Sequence, residues 1–322
     1  ALHSLCAMPS SSYRSKLLLL CMLQIAVSMA AREFSQSEQG GSMLFSYHNG
    51  PLLSGDISVN LIWYGSFKPS QKAIVSDFIT SLSSHNGGAQ PSVGTWWKSI
   101  GKYYTDHGKK NSLSLHLGKQ IADEDYSLGK SLSDRQITAL ASCGDQMNAI
   151  NVVLTSSDVN VERFCMDRCG THGSATSSVR PVVGRRAPKF AYIWVGNSET
   201  QCPGYCAWPF HQPVYGPQIP PLVSPNGDVG MDGVIINLSS LLAGTATNPF
   251  GKGFFQGPEE APLEAASACA GVYGKGAYPG YAGDLLVDAT TGASYNANGD
   301  SGRKYLLPAL YNPSTSTCST LI

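Results

Sequence analysis

Ile57, Val59, Leu61 and Trp63 alternate with Ser58, Asn60, Ile62 and Tyr64, the period-two pattern of a strand with one strongly apolar face. Pro69 then opens a helix whose apolar face is Ile74, Val75, Phe78, Ile79 and Leu82, and His85-Asn86-Gly87-Gly88 is expected to stop it. Pro91 to Tyr104, carrying Trp96, Trp97, Ile100, Tyr103 and Tyr104, predicts a second helix, and Ser112 to Leu117 alternates as a second strand. Ser133-Asp134-Arg135-Gln136 is a capped start for a short helix ending near Ser142. Ala149 to Leu154 is a short continuous apolar run, the mark of a strand buried on both faces. The order β-α-α-β-α-β predicts an α/β layered arrangement for this half.

The second half changes character to mixed α+β. A cysteine-rich stretch, Cys165 to Cys206, encloses a strand over Phe190 to Val195. A proline-rich loop follows from Pro209 to Pro225, then one helix around Asp232 to Ala246. Phe250 to Ile322 is Gly-, Tyr- and Asn-rich and reads as short strands and turns. There is no internal repeat and no flexible linker between the halves, so residues 51–322 are expected to form one composite domain behind a polar segment, 31–50.

The N-terminus bears on compartment. Residues 1–30 read as leader and signal peptide. Arg14 and Lys16 precede the mostly apolar Leu17 to Val27, and Ser28-Met29-Ala30 offers small residues for cleavage, which puts the mature start near residue 31. A membrane anchor would need about 20 apolar residues, and this run ends sooner, before Arg32 and Glu33. The expectation is a secreted chain with no membrane span after cleavage. Lys+Arg and Asp+Glu both number 22 in the full chain. Residues 1–30 hold two of the basic side chains and no acidic one, so the exported part carries −2. No basic stripe is available to neutralise phosphates, which excludes nucleic acid as a partner.

Export also decides how the cysteines are read. Beyond Cys6 and Cys21 in the leader there are seven, an odd number. Cys165, Cys169, Cys202, Cys206, Cys269 and Cys318 are the disulfide candidates, stapling a Gly-rich C-terminal part, and Cys143 is the expected free thiol. Six cysteines allow 15 connectivities, and spacing does not choose among them. The rival reading takes Cys165-x3-Cys169-x2-His172 and Cys202-x3-Cys206-x4-His211 as two zinc knuckles. An oxidising compartment favours disulfides, so no metal and no cofactor is expected, with His172 and His211 as the alternative ligands.

Other motifs resolve to simpler features. Gly299-Asp300-Ser301-Gly302 has the outline of a serine-protease nucleophile motif but lacks a histidine in a matching context. Asn296, Asn298 and Asp300 begin a calcium loop that no glutamate closes. Asn237-Leu238-Ser239 is a glycosylation sequon, placed inside a predicted helix. Trp96, Trp97, Trp208, Tyr273, Tyr278 and Tyr281 are candidates for a sugar-binding platform, against the commoner role of aromatics in a core.

Longer segments carry a specific likeness. Gly50-Pro-Leu-Leu-Ser-Gly, Asn60-Leu-Ile-Trp-Tyr-Gly, Pro91-Ser-Val-Gly-Thr-Trp-Trp-Lys, Phe164-Cys-Met-Asp-Arg-Cys-Gly-Thr-His-Gly and Gln201-Cys-Pro-Gly-Tyr-Cys-Ala-Trp-Pro-Phe-His are among them. So are Tyr192-Ile-Trp-Val-Gly-Asn, Gly227-Asp-Val-Gly-Met-Asp-Gly, Thr247-Asn-Pro-Phe and Gly302-Arg-Lys-Tyr. Over roughly residues 45–322 the chain resembles the plant EXORDIUM family, also called the phosphate-induced proteins. A basic stretch around Arg180 to Lys189 departs from the family pattern and reads as an exposed loop. The resemblance implies an apoplastic, cell-wall protein linked to brassinosteroid-promoted cell expansion and growth, and it supplies no mechanism.

Some relatives in this family look like zincins, with His-Glu-x-x-Glu shortly before a Thr/Ser-Asn/Asp-Pro sequence. Counted back from Thr247-Asn248-Pro249, those positions fall on Ser240, Leu241 and Gly244, with Glu264 the one carboxylate near a further ligand position. None of the three helix residues can supply a histidine ligand or a glutamate base. The likeness therefore implies a zincin-like layered sheet with helices and a degenerate centre, a pseudoenzyme rather than an enzyme. On the helix itself, Met231, Val234, Ile235, Leu238, Leu241 and Leu242 form the expected buried face and Gly233, Asn237, Ser240 and Gly244 the opposite stripe. The leading expectation is a non-catalytic secreted growth regulator binding a cell-wall glycan or a cell-surface receptor. The alternatives are a secreted hydrolase of wall polymer or peptide, drawing on His172, His211, Asp228, Asp232 and Glu264, and a glycan-binding wall module.

Overall fold

Strand β1, Gly55–Tyr64, is apolar on both faces because it lies inside a parallel sheet. Ile57, Val59, Leu61 and Trp63 enter one core, while Ile62 and Tyr64 enter a second core on the other face. The single apolar face read from the alternation is thus half of the burial, since helices cover both sides. The computed structural model describes residues 44–84, 89–105, 113–177 and 187–322. The expected leader and signal, the polar segment to residue 43, the expected helix stop at His85–Gly88 and most of the predicted Arg180–Lys189 loop lie outside these residues. Phe45–Ile322 form one compact unit.

Helix α1, Pro69–Leu82, begins with proline in its first turn, and the Gln71 side chain accepts from the Lys68 backbone N–H. Ser92 caps α2, Val93–Lys98, by accepting from Thr95 N–H. The predicted long helix over Pro91–Tyr104 is therefore broken by a 3-10 turn at Ser99–Gly101 before a last helical turn, Lys102–Thr105. Strand β2, Leu113–Asp123, pairs parallel to β1 and runs six residues beyond the predicted end at Leu117. Its far part is polar because it is an edge. A register shift opposite Val59 to Leu61 lets Gly118 pass over Asn60, where a Cβ would lie 2.3 Å from Oδ1. Helix α3, Asp134–Ala141, has the capping box expected from Ser133 and Gln136.

Strand β3, Ala149–Thr155, is buried at every position. It sits beside β1 in register Asn60↔Asn151, and the two buried amides bond each other, Asn60 Nδ2 donating to Asn151 Oδ1 at 2.9 Å. A slip of one residue would strand both amides in the core, so the pair fixes the register. Strand β4, Gly170–Thr176, is antiparallel to β5, Lys189–Gly196, which is parallel to β3. The sheet order is β2-β1-β3-β5-β4.

Helix α4, Val229–Thr247, lies on the β5–β4 side of the sheet with α1 and α2 on the same face, and α3 covers the other face. Asp228 caps α4 by accepting from Met231 N–H, and also accepts from Gln71 Nε2 at 2.9 Å, which ties the starts of α4 and α1. The predicted face of α4 is buried apart from the half-buried Leu241, but the opposite stripe is no solvent face. Gly233 abuts Ala207 and Gly244 abuts Glu264. A helix this apolar is buried nearly all round. The C-terminal part is a run of two-stranded pairings, 286–287 with 294–295, 297–298 with 304–305 and 310–312 with 317–319. It locks onto the helix layer through long-range bonds. Trp96 Nε1 donates to Pro308 O at 2.8 Å, and the Tyr305 hydroxyl donates to Asp77 Oδ2 at 2.7 Å.

One buried carboxyl has no ion-pair partner among the described residues. Asp232, 2% exposed, accepts from the backbone and side-chain N–H groups of Asn226 at 2.9 and 2.6 Å. Burial pushes its pKa up to about 7 from an ordinary 3.8, more than these hydrogen bonds pull it down. The folded chain therefore takes up this proton at higher pH than the unfolded chain. Stability from this group is present below pH 3.8 and is lost as pH rises through about 7. The slope in that window is at most about 1.4 kcal/mol per pH unit. Melting curves at pH 5 and pH 8 check this. The wild-type difference in favour of pH 5 should shrink in Asp232→Asn, and an unchanged difference would show that another group sets it.

Candidate functional site

The edge strand β4 brings the second half's titratable groups to helix α4. Its first residue, Gly170, has no room for a Cβ, which would lie 2.5 Å from Trp194 O and 2.8 Å from Leu241 Cδ1. That absence lets α4 settle against the strand. Two residues on, His172 reaches the last turns of α4 and meets Glu264 from the segment beyond it, Nε2 to Oε2 2.6 Å. A carboxylate only accepts, so Nε2 carries the proton. The other oxygen of Glu264 accepts from Asn248 Nδ2 at 2.7 Å, and Asn248 Oδ1 accepts in turn from Gly253 N–H at 2.7 Å. Side-chain exposure is 13% for His172 and 10% for Glu264.

Gly244 makes this contact possible. A Cβ on it would lie 2.4 Å from Glu264 Oε2 and 3.2 Å from His172 Nε2. Leu241, one turn earlier, packs against Gly170, and Ser240 is half-buried. The pair has the form of a general base with its orienting carboxylate, but a base needs a proton donor at its second nitrogen. Nδ1 of His172 is buried and has no hydrogen-bond partner among the described residues. Among the described residues no hydroxyl or thiol is hydrogen-bonded to that nitrogen. Among the described residues no group of three or more His, Cys, Asp or Glu is placed to hold a metal ion.

The other candidates stand elsewhere. His211 bonds the carbonyl of its neighbour Gln212 at 3.0 Å, beside Gly204. Asp228 and Asp232 are at the opposite end of α4, Asp232 about 18 Å from Gly244 along the helix axis. The structure thus joins His172 with Glu264 and leaves His211, Asp228 and Asp232 apart from them. The four sulfurs of the two knuckles are cross-linked, Cys165 to Cys202 and Cys169 to Cys206, and Cys269 pairs with Cys318. Thiolates for a zinc knuckle are therefore absent from those positions. Cys143 is free and exposed. The Asn237 amide donates to Cys206 O at 2.8 Å and Gly233 O at 2.7 Å, so its nitrogen is committed within the fold.

The proposed sugar platform divides. Trp96, Trp97 and Tyr273 are buried in the cores, while Trp208 and Tyr278 line a cavity of about 590 Å³. Tyr205 and Tyr215, which the sequence reading passed over, complete its aromatic wall. For Tyr215 the signal was present in Tyr215-Gly-Pro, a turn tripeptide that, like Tyr278-Pro-Gly, leaves an aromatic ring exposed. No charged, amide or Ser/Thr side chain lines this cavity, so a sugar's hydroxyl groups would find partners only among tyrosine hydroxyls, the indole N–H and backbone.

Gly244→Ala tests the geometry of the His172–Glu264 contact. Overpacking there should destabilise by about 1–3 kcal/mol, seen as a fall of several degrees in thermal unfolding. An unchanged Tm would mean that the imidazole and carboxylate do not crowd this position.

Comparison with known proteins adds the following. The family model described as phosphate-induced protein 1 conserved region matches residues 45–321. Protein EXORDIUM of Arabidopsis thaliana is 66% identical over 312 residues, covering 95% of this chain and 97% of that protein. Protein PHOSPHATE-INDUCED 1 of Nicotiana tabacum is 70% identical over 282 residues, covering 87% and 89%. Protein EXORDIUM-like 6 of Arabidopsis thaliana is 31% identical over 302 residues, covering 83% and 89%. No solved structure matches.

Proposed function

The chain belongs to the phosphate-induced protein 1 (EXORDIUM) family, and on that footing we propose that it is a secreted, non-catalytic protein of the apoplast and cell wall that promotes brassinosteroid-linked cell expansion by binding. The observation that carries the non-catalytic part is the fit at Gly244. In the zincin-like reading, the ligand positions of α4 are Ser240, Leu241 and Gly244, and none offers a histidine or carboxylate. The nearby His172 and Glu264 bond each other across the space a larger residue 244 would fill. These residues do not fit a catalytic zinc, and no step is derived through one. Support for the zincin-like reading itself comes from the sheet, where an antiparallel edge strand lies beside the long helix.

Three disulfides agree with an exported chain. The binding surface is assigned to the second half, where the aromatic cavity opens beside the proline-rich loop and takes either a cell-wall glycan or an exposed segment of a cell-surface receptor. Its mostly apolar lining suits the receptor better than the glycan. A secreted hydrolase is the opposing reading. Metal analysis of the purified protein should find no stoichiometric zinc. Zinc at one per chain, lost together with a hydrolytic activity on wall polymer or peptide, would overturn the non-catalytic assignment.

A further inference from the structure

Two of the motif segments, Gly227 to Gly233 and Gly302 to Tyr305, meet at the start of α4, where they border a polar cleft of about 730 Å³. Asn226 is the junction. Its side-chain amide donates to Lys304 O at 3.1 Å, across 78 positions of sequence, and to Asp232 Oδ1 at 2.6 Å. Its carbonyl oxygen receives Arg303 Nη1 at 3.4 Å. Ser224, Thr291 and Ser301 add hydroxyl groups to the walls.

The charges in this cleft do not balance. Lys304 is paired with Asp288. Arg303 is half-buried, and among the described residues no carboxylate stands within ion-pair distance of it. One long contact occupies one of the five N–H donors of a group that is always charged. The lining therefore holds two cations, Arg303 and Lys304, against one carboxylate, Asp288. Behind Asn226, Asp232 is neutral below about pH 7 and then contributes no compensating charge. A single excess positive charge beside the Asp288 carboxylate suits a monoanion better than a phosphate dianion.

We propose that this cleft is a binding site for a carboxylated saccharide, a uronic acid residue within a short oligosaccharide. Arg303 takes the carboxylate through two parallel N–H···O bonds, the geometry a guanidinium offers and an ammonium does not. The ring hydroxyls meet the Ser301 hydroxyl and the remaining acceptor capacity of Asn226 Oδ1, and the volume accommodates about two sugar units. The site lies at the end of α4 opposite His172 and Glu264, and it stands whether or not that end is catalytic.

Titration calorimetry of the purified chain with digalacturonate at pH 5.5, with neutral digalactose and inorganic phosphate as the other arms, tests this. Digalacturonate should bind, and Arg303→Gln should weaken it at least about tenfold, the loss of one charge-assisted pair. Arg303→Lys should retain part of the affinity. Both variants should keep the wild-type Tm, since the guanidinium makes one long bond; a variant with a lower Tm is replaced as probe by Ser301→Ala, read as a smaller loss. No binding of digalacturonate up to roughly 10 mM would overturn the proposal. So would equal binding of digalactose, equal binding of phosphate, or unchanged affinity in Arg303→Gln.

Discussion

Helix α4 must be buried, and the fold is organised to permit it. Val229–Thr247 is apolar enough, by length and composition, to cross a membrane, yet 78% of that stretch is buried within the protein. A helix without a polar face needs partners around its circumference. The sheet and α1 cover one side, the short helix Pro203–Cys206 another, and the segment after residue 250 a third. Small residues make these approaches possible. Gly230 admits Asn197 and Glu199, Gly233 admits Ala207, and Gly244 admits Glu264 and His172. The helix that the zincin-like reading would equip with ligands is thus equipped for close packing.

The disulfides serve the same packing. Cys165–Cys202 and Cys169–Cys206 each close 37 positions and together fasten the approach to β4 to the short helix lying on α4. A single cross-link over a loop of that length contributes about 3–4 kcal/mol through the unfolded chain. The second closes nearly the same loop, so its effect is less additive and more local. Together the two fix Pro203–Cys206 at both ends, and with it the Gly233–Ala207 contact and the Asn237 amide bond to Cys206.

The central layers were legible because their periodicity is strong. β1, α1, α3 and β3 are within a few residues of their predicted places, each marked by apolar repeats or by a capping residue. β4 was not legible. Gly170-Thr-His-Gly-Ser-Ala-Thr has no large apolar residue, because an edge strand pressed by a helix at Gly170 has no room for one. The candidate residues were legible individually but not as an arrangement. His172 and Glu264 stood in one five-residue set of candidate groups with His211, Asp228 and Asp232, and with 92 positions between them nothing local singled out this pair. Their meeting depends on β4 being antiparallel and on residue 244 being glycine, and neither can be read from local pattern. The junction at Asn226 is of the same kind. Its segments were recognisable as motifs, while the role they share comes from a contact across most of the second half.

The bonds from the C-terminal part to the helix layer set the timing of folding. Trp96 waits for Pro308, 212 positions later, and Asp77 for Tyr305, 228 positions later. Contacts of such sequence separation make for slow folding, since loop closure must come before the interactions that reward it. A chain emerging at about 5–20 residues per second has its first two hundred residues out for several seconds before residue 305 appears. Through that interval the face of α1 and α2 that the C-terminal segment covers is open, and its apolar side chains stay exposed to association until synthesis is complete.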